Sequence, residues 1–150
     1  MIRDTQTSTD MYLIDTDVIS ESRKGAAANP GVAQFFGSAH AERTPLFLSV
    51  ITVGEIRHGV ERIRHRGDAV QAQRLERWLD ALLESFADQV LPFDADCAQL
   101  WGRLRVPDAS NPVDKQIGAT ALIHGLTVVT GNIPHFRRCG VPAMSPFVGR

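Results

Sequence analysis

Short apolar segments alternate with longer segments of helical periodicity along this chain, and that alternation restricts its fold more than any other feature. In the longer segments, apolar residues recur at helical spacing, most clearly over residues 69–86. Chains in which strands alternate with helices form parallel sheets, so we expect an α/β fold with a central parallel sheet of about four to five strands and helices on both faces. The predicted strands are residues 12–14, 47–50, 90–93, 126–130 and 141–145.

Length and composition fit one compact domain. The chain has 150 residues, of which 43% are hydrophobic, and this is enough to bury a core. Residues 1–10 are polar, and we expect them to form a disordered leader before a domain that spans residues 11–150. No segment approaches the roughly 18 apolar residues that a membrane span needs, so we expect a cytoplasmic protein.

The net charge excludes attraction of nucleic acid by the overall charge of the chain. With 16 Lys and Arg residues against 17 Asp and Glu residues, the formal charge of the chain is -1. The chain as a whole therefore exerts no attraction on a polyanion. Any contact with RNA must come from a local basic patch.

Three carboxylates lie where an apolar segment ends or a helix begins. Asp15 follows the first predicted strand, Glu55 lies in a helix predicted to begin near Val53, and Asp114 lies in the first turn after Asn111. Ligands of parallel α/β sheets gather at the carboxyl ends of the strands. We therefore expect the three acids to share one pocket, and hard oxygen ligands without thiols favour Mg²⁺ or Mn²⁺ over zinc.

Each acid taken alone has a structural explanation. Asp15 has the position of a turn or capping residue, Thr52 and Glu55 match the T-x-x-E capping box, and Asp114 suits the positive end of a helix dipole. Their common position at one edge of the sheet favours a functional site, because crowded carboxylates destabilise a fold unless a cation neutralises them.

Five segments in this order resemble the PIN-domain ribonucleases, and specifically the VapC-type toxins of bacterial toxin–antitoxin pairs. Together they cover about residues 11–147. The resemblance implies a single PIN-like domain and an endoribonuclease in which a Mg²⁺- or Mn²⁺-activated water attacks the RNA phosphodiester. The segments are YLIDTDVISE, LSVITVGEIRHGVE, LPFDADCAQLWGRL, PVDKQIGATALIHGLTVVTGNIPHF and GVPAMSPF.

The resemblance also implies which residues act. The metal-binding acids of the family fall on Asp15, Glu55 and Asp114, which we expect to be both metal ligands and catalytic residues. The fourth polar position, also expected to be catalytic, falls on Asn132. Thr16 occupies the Ser or Thr position after the first acid and is a candidate for contact with the substrate.

The chain departs from the family pattern at three positions. Asp17 stands where the family usually has Asn, which adds a negative charge to the site. Gly131 and His135 stand where many relatives carry Arg and Asp. Two further acids, Asp94 and Asp96, lie near another helix start, where Asp94 is predicted to be the N-cap, and both rank below Asp114 as ligands.

Basic residues near the acids are candidates for contact with RNA phosphates. Arg57 and Arg62 belong to a basic run that follows Glu55, and Arg23 follows Asp15 at a short distance along the chain. His135 is a further candidate. The alternative is a solvated helix face for the arginines and a structural role for the histidine.

The resemblance implies three partners: an RNA substrate, a second copy of the chain in a homodimer, and a VapB-type antitoxin that inserts a segment into the acidic groove. Two other functions remain open. A catalytically silent PIN-like domain would bind a protein or RNA partner without cleavage, consistent with the departures at Gly131 and His135. A phosphatase of the haloacid-dehalogenase type would use the D-x-D motif at Asp15 and needs a late lysine, for which Lys115 is the only candidate.

Overall fold

The computed structural model describes residues 10–150, and the predicted leader lies outside the described residues except for Asp10. Within the described part, five parallel strands form one sheet in the order β3-β2-β1-β4-β5. This confirms the predicted parallel α/β fold. The strands are β1 (Tyr12–Ile14), β2 (Leu46–Ser49), β3 (Val90–Leu91), β4 (Thr127–Val129) and β5 (Ala143–Met144).

Seven α-helices connect and cover the strands within the described residues, and a short 3-10 turn over Gly25–Ala27 joins the first two. In the described part, no helix is long and apolar enough to cross a bilayer. The helices are α1 (Thr16–Ser22), α2 (Pro30–Glu42), α3 (Val50–His65), α4 (Ala69–Ser85), α5 (Ala95–Leu104), α6 (Pro112–His124) and α7 (Ile133–Arg137).

Helices pack on both faces of the sheet, as the alternation predicts. Successive residues of a strand point to opposite faces, and neighbouring residues of β1 accordingly join different hydrophobic clusters. Ile14 packs with Val18, Leu79 and other residues of α1 to α4. Leu13 packs with residues of α6 and α7, including Ile117.

The start of α3 differs from the sequence prediction. The helix begins at Val50, three residues before the predicted start, because the buried Ser49 side chain accepts a hydrogen bond from the Ile51 amide. Ser49 is therefore the N-cap, and Thr52 and Glu55 do not form the capping box that their spacing suggested. Glu55 lies in the second turn and has no capping role to compete with a functional one.

Other boundaries follow local chemistry. Asp94 caps α5 as predicted, with its carboxylate accepting from the Cys97 amide at 3.0 Å. Strand β3 ends at Leu91, two residues before the predicted end, where Pro92 cannot donate to the ladder. Helix α2 begins at Pro30, because Asn29 caps it and proline suits the first helical position.

Candidate active site

An acidic pocket of about 310 Å³ lies at the carboxyl edge of the sheet. Strands β1 and β4 are neighbours in the sheet, so the residues that follow them meet here although they are far apart in sequence. Within the described residues, the pocket brings together five residues that the sequence proposed for the site. These are Asp15, Thr16, Glu55, Asp114 and Asn132, and Asp17, Ser20, Val113 and Ile117 complete the lining.

Asp15 is held in place by two hydrogen bonds and is 6% exposed. Its Oδ2 accepts from the Thr130 hydroxyl at 2.8 Å, and its Oδ1 accepts from the Thr16 amide at 2.8 Å. Burial, reinforced by the negative charge of Asp17, raises the pKa of Asp15 to about 7. The side chain is thus fixed in orientation but costly to ionise in the absence of a cation.

Asp17 supplies the additional charge of the pocket. Its Oδ2 accepts from the Gly131 amide at 2.9 Å, and burial raises the pKa of this carboxyl as well. A Cβ atom at Gly131 would lie 2.6 Å from that same oxygen and 2.9 Å from Cε2 of Phe147. The glycine at this departure from the family pattern therefore has a steric reason in this chain.

Asp114 and Asn132 line the pocket and both contact His135. The Asp114 Oδ2 lies 2.6 Å from Nδ1 of His135, and the Asn132 side-chain nitrogen lies 2.7 Å from the same Nδ1. A single ring nitrogen either donates or accepts, so only one of these contacts forms a hydrogen bond in a given tautomer. In the tautomer that carries its proton on Nδ1, His135 donates to Asp114 and orients that carboxylate.

Glu55 reaches the pocket from α3 and is exposed. A hydrogen bond of 3.1 Å between the hydroxyls of Thr16 and Thr52 ties α1 to α3 beside it. Thr52 is fully buried, so this contact fixes the distance between the helix that follows Asp15 and the helix that carries Glu55.

In the described part of the chain, no three His, Cys, Asp or Glu side chains already stand close enough together to hold a metal ion. The acids are turned toward hydrogen-bond partners instead: Asp15 toward Thr130, Asp17 toward Gly131 and Asp114 toward His135. Their like charges repel, which favours this separated arrangement. The donor set itself consists of hard oxygens and fits a divalent cation.

The arginines proposed for substrate contact lie outside the acidic pocket. Arg57 donates to Glu76 at 2.7 Å and to Glu61 at 3.2 Å, so its guanidinium joins α3 to α4. Arg62 is exposed elsewhere on α3, and Arg23 is exposed at the end of α1. Among the proposed substrate-contact residues, only Thr16 lines the pocket, and His135 touches it through Asp114.

Three polar residues at the site were not predicted from the sequence to belong to it. Thr130 and Thr52 hold Asp15 and Thr16 as described above, and Ser20 lines the pocket one helical turn after Thr16. Thr130 has a local signal, because it is the polar residue at the end of the strongly β-branched fourth strand. Thr52 has none, since its spacing to Glu55 points to a helix cap that does not form.

Lys115 does not suit the phosphatase alternative. Its side chain is 5% exposed, and its Nζ donates to the Asp108 carbonyl and lies 3.8 Å from the Asp108 carboxylate. It does not line the acidic pocket. The late lysine that this chemistry requires is therefore directed away from Asp15.

A larger cleft of about 1070 Å³ lies among α1, α2 and α4, lined by Ile19, Phe36 and Leu82 among others. It contains none of the carboxylates. Volume alone does not mark a site of chemistry, and we assign the candidate active site to the smaller pocket because the titratable groups converge there.

Comparison with known proteins gives a consistent result. The model of the PIN domain family matches residues 12–140. The plasmid stability protein StbB of Pseudomonas syringae is 33% identical over 144 residues, which cover 91% of this chain and 99% of the relative. The toxin FitB of Neisseria gonorrhoeae is 33% identical with 91% and 99% coverage. The VapC ribonuclease Y4jK of Sinorhizobium fredii is 31% identical with 91% and 98% coverage.

Solved structures agree with the sequence relatives. The crystal structure of FitAcB from Neisseria gonorrhoeae contains a chain with a TM-score of 0.73 and 33% identity, and the match covers 91% of this chain and 98% of that one. A structure of VapBC-5 from Mycobacterium tuberculosis, described as a member of the VapBC family of toxin-antitoxin systems, gives a TM-score of 0.56 and 25% identity with 92% and 98% coverage.

Proposed function

This chain belongs to the PIN domain family, and on that premise we propose that it is an endoribonuclease toxin that depends on a divalent metal ion. The observation that carries the proposal is the convergence of Asp15, Asp17, Glu55 and Asp114 in one pocket at the carboxyl edge of the sheet. The names of the similar proteins support the same activity, since they include a toxin and a VapC ribonuclease.

We propose Mg²⁺ or Mn²⁺ as the metal ion and Asp15, Glu55 and Asp114 as the residues that would hold it, with the Asn132 side chain assisting. The ligands are hard oxygens, which suits these ions. The cation would supply a strongly polarised water as the nucleophile and polarise a phosphate oxygen. Its charge would offset the burial and the neighbouring charge that raise the pKa of Asp15.

The chain's own residues would orient the acids around the reacting phosphate. Thr130 and the Thr16 amide hold Asp15, and His135 holds Asp114, so that two acids from different elements keep a fixed relation. Thr16 lines the pocket and is the proposed contact to the substrate inside it. Arg23, Arg57 and Arg62 would contact RNA only outside the pocket, as part of its approach path.

The proposed partners are RNA as the substrate, a VapB-type antitoxin as the inhibitor and a second copy of the chain in a homodimer. The antitoxin proposal is supported by the likeness to VapBC-5 of a toxin-antitoxin system. An RNA substrate also supports a cytoplasmic location.

Cleavage of a mixed RNA pool tests the proposed function. The purified protein, freed of any co-purified antitoxin, is incubated with Mg²⁺ or Mn²⁺, and separately with EDTA. We expect metal-dependent cleavage, and we expect Asp15→Asn to reduce it at least about a hundredfold, because a metal ligand contributes several kcal/mol to the transition state.

The matched control is Asp80→Asn, which makes the same chemical change on the exposed face of α4, away from the pocket. It should cleave like the wild type. Full activity in folded Asp15→Asn would refute the assignment. Failure both to cleave any RNA and to bind Mn²⁺ would favour the silent binding domain instead.

A further inference from the structure

A second cavity, of about 480 Å³, adjoins the acidic pocket and has the opposite electrostatic character. His135 connects the two, because it lines this cavity and also contacts Asp114 in the acidic pocket. We propose that this cavity, here called the basic cavity, binds a backbone phosphate of the RNA strand next to the phosphate that is cleaved. The inference rests on the proposed function and adds a substrate site to it.

Three cationic side chains from separate parts of the chain line the basic cavity. Arg103 lies in the last turn of α5, Lys115 lies in α6, and Arg138 follows α7 directly. Asp108 is the one carboxylate in the lining, so three positive charges face one negative charge and the cavity carries a net charge of +2. The chain as a whole has a charge of -1, so this local excess is the kind of patch that a polyanion requires.

Lys115 gives the basic cavity a fixed charge. Its side chain is 5% exposed, and the Asp108 carbonyl accepts a hydrogen bond from its Nζ. The Asp108 carboxylate lies 3.8 Å from Nζ, is 62% exposed and accepts from the Ser110 amide at 2.9 Å. The anion is thus turned toward solvent while the ammonium stays in the cavity, where a donor on Nζ is left for a phosphate oxygen.

The position of Lys115 indicates the path that the RNA strand would take across the protein. Lys115 follows Asp114 directly on α6, and successive residues of an α-helix point about 100° apart. Asp114 therefore faces the acidic pocket while Lys115 faces the basic cavity on the next side of the helix. An RNA strand that places one phosphate at the acids would run past His135 and bring a neighbouring phosphate to the cations.

The Asp108 carboxylate pairs with Lys115 and also lies within the electrostatic reach of Arg138, but one anion cannot neutralise the three cations that line the cavity. Arg103 and Arg138 are exposed, come from different elements and line the same cavity. Guanidinium groups bind phosphate in bidentate fashion, and they position a nucleic acid without reading its sequence.

Binding of a short, fluorescein-labelled oligouridylate in EDTA tests the inference apart from catalysis. We expect Arg138→Gln to weaken binding roughly tenfold, as expected for the loss of a charge-assisted hydrogen bond. The slope of log affinity against log salt should fall in magnitude by about 0.7, the value for one phosphate contact on a single strand. Arg77→Gln, which removes the same charge from an exposed site on α4, is the matched control and should bind like the wild type.

Equal RNA affinities of Arg138→Gln and Arg77→Gln would overturn the inference, as would failure of the wild type to bind the oligouridylate. Tighter binding of polyglutamate than of RNA would also overturn it, because the basic cavity would then recognise an acidic protein segment. The cleavage assay tests the proposed function separately. Normal RNA cleavage by Arg138→Gln would refute the phosphate site in the basic cavity alone. A wild type that binds RNA without cleaving it would refute the nuclease alone.

Discussion

At the residue scale, the central feature is a carboxylate buried among other carboxylates. Asp15 is 6% exposed and has Asp17 and Asp114 as neighbours, yet both of its oxygens accept hydrogen bonds. The hydrogen bonds favour the ionised form, while burial and the neighbouring charges oppose it. Burial is the larger effect, so ionisation of Asp15 is unfavourable, and a bound cation would make it favourable.

This environment predicts a pH dependence of stability in EDTA. Because the pKa of Asp15 is raised to about 7 in the folded state, its contribution to the free energy of unfolding is complete below its unfolded pKa and is lost as the pH rises through about 7. Asp15→Asn cannot ionise. Between about pH 5 and pH 8, the free energy of unfolding of this variant should therefore rise relative to that of the wild type by at most about 3 kcal/mol.

Urea unfolding of both proteins in EDTA at the two pH values measures this gain. A difference between variant and wild type that stays constant across the pH range would mean that Asp15 ionises freely in the folded state. Asp80→Asn serves as the control, since its side chain is exposed.

At the element scale, the start of α3 decides what Glu55 is free to do. The helix begins directly after β2 because Ser49 ends the strand and caps the helix. Glu55 therefore lies in the second turn, exposed and at the pocket. With the helix start predicted near Val53, the same glutamate would instead close a capping box with Thr52.

The observed start of α3 at Val50 predicts that a change at Ser49 destabilises the fold, whereas a change at Glu55 does not. Ser49→Ala should lower the free energy of unfolding by about 1 kcal/mol, since it removes the N-cap. Glu55→Ala should change it by less than about 0.5 kcal/mol, as for an exposed residue without a capping role, and should abolish RNA cleavage.

Chemical denaturation together with the cleavage assay distinguishes a functional Glu55 from a helix-capping Glu55. A stable, inactive Glu55→Ala variant fits a functional glutamate. A Glu55→Ala variant that loses as much stability as Ser49→Ala would return Glu55 to a structural role.

At the scale of the whole molecule, the parallel sheet gathers side chains that the sequence separates widely. The order β3-β2-β1-β4-β5 makes β1 and β4 neighbours, so Thr130 meets Asp15 across 115 residues of sequence. The first turn of α6 contributes Asp114 to the same pocket. Only the folded molecule brings these side chains into one pocket, where the proposed cation would bind.

Metal binding should consequently stabilise the fold. A concentration of Mn²⁺ or Mg²⁺ about 100 times its Kd raises the free energy of unfolding by about 2.7 kcal/mol if the unfolded chain does not bind. For a chain of this size that corresponds to a rise in Tm of about 5 to 10 °C.

Thermal unfolding with the metal ion and with EDTA measures this rise. Asp15→Asn should lose most of it, while Asp80→Asn should keep it. An equal rise in wild type and Asp15→Asn would mean that the ion binds elsewhere on the protein.

The sequence by itself determined the parallel α/β fold and the three acids that share the pocket. These features follow from local patterns: strand and helix periodicity, the N-cap at Asp94, and polar residues at strand ends. Such patterns depend on interactions within a few residues, so they can be recognised without knowing the neighbours in space.

The tertiary structure alone decided which groups surround those acids. It placed Thr130 on Asp15 and His135 on Asp114, turned Lys115 away from Asp15 toward the basic cavity, and engaged Arg57 with Glu76. These contacts depend on strand order and on the angle at which helices cross the sheet. No local pattern encodes either, because the free energy that selects them comes from burial and packing over the whole core.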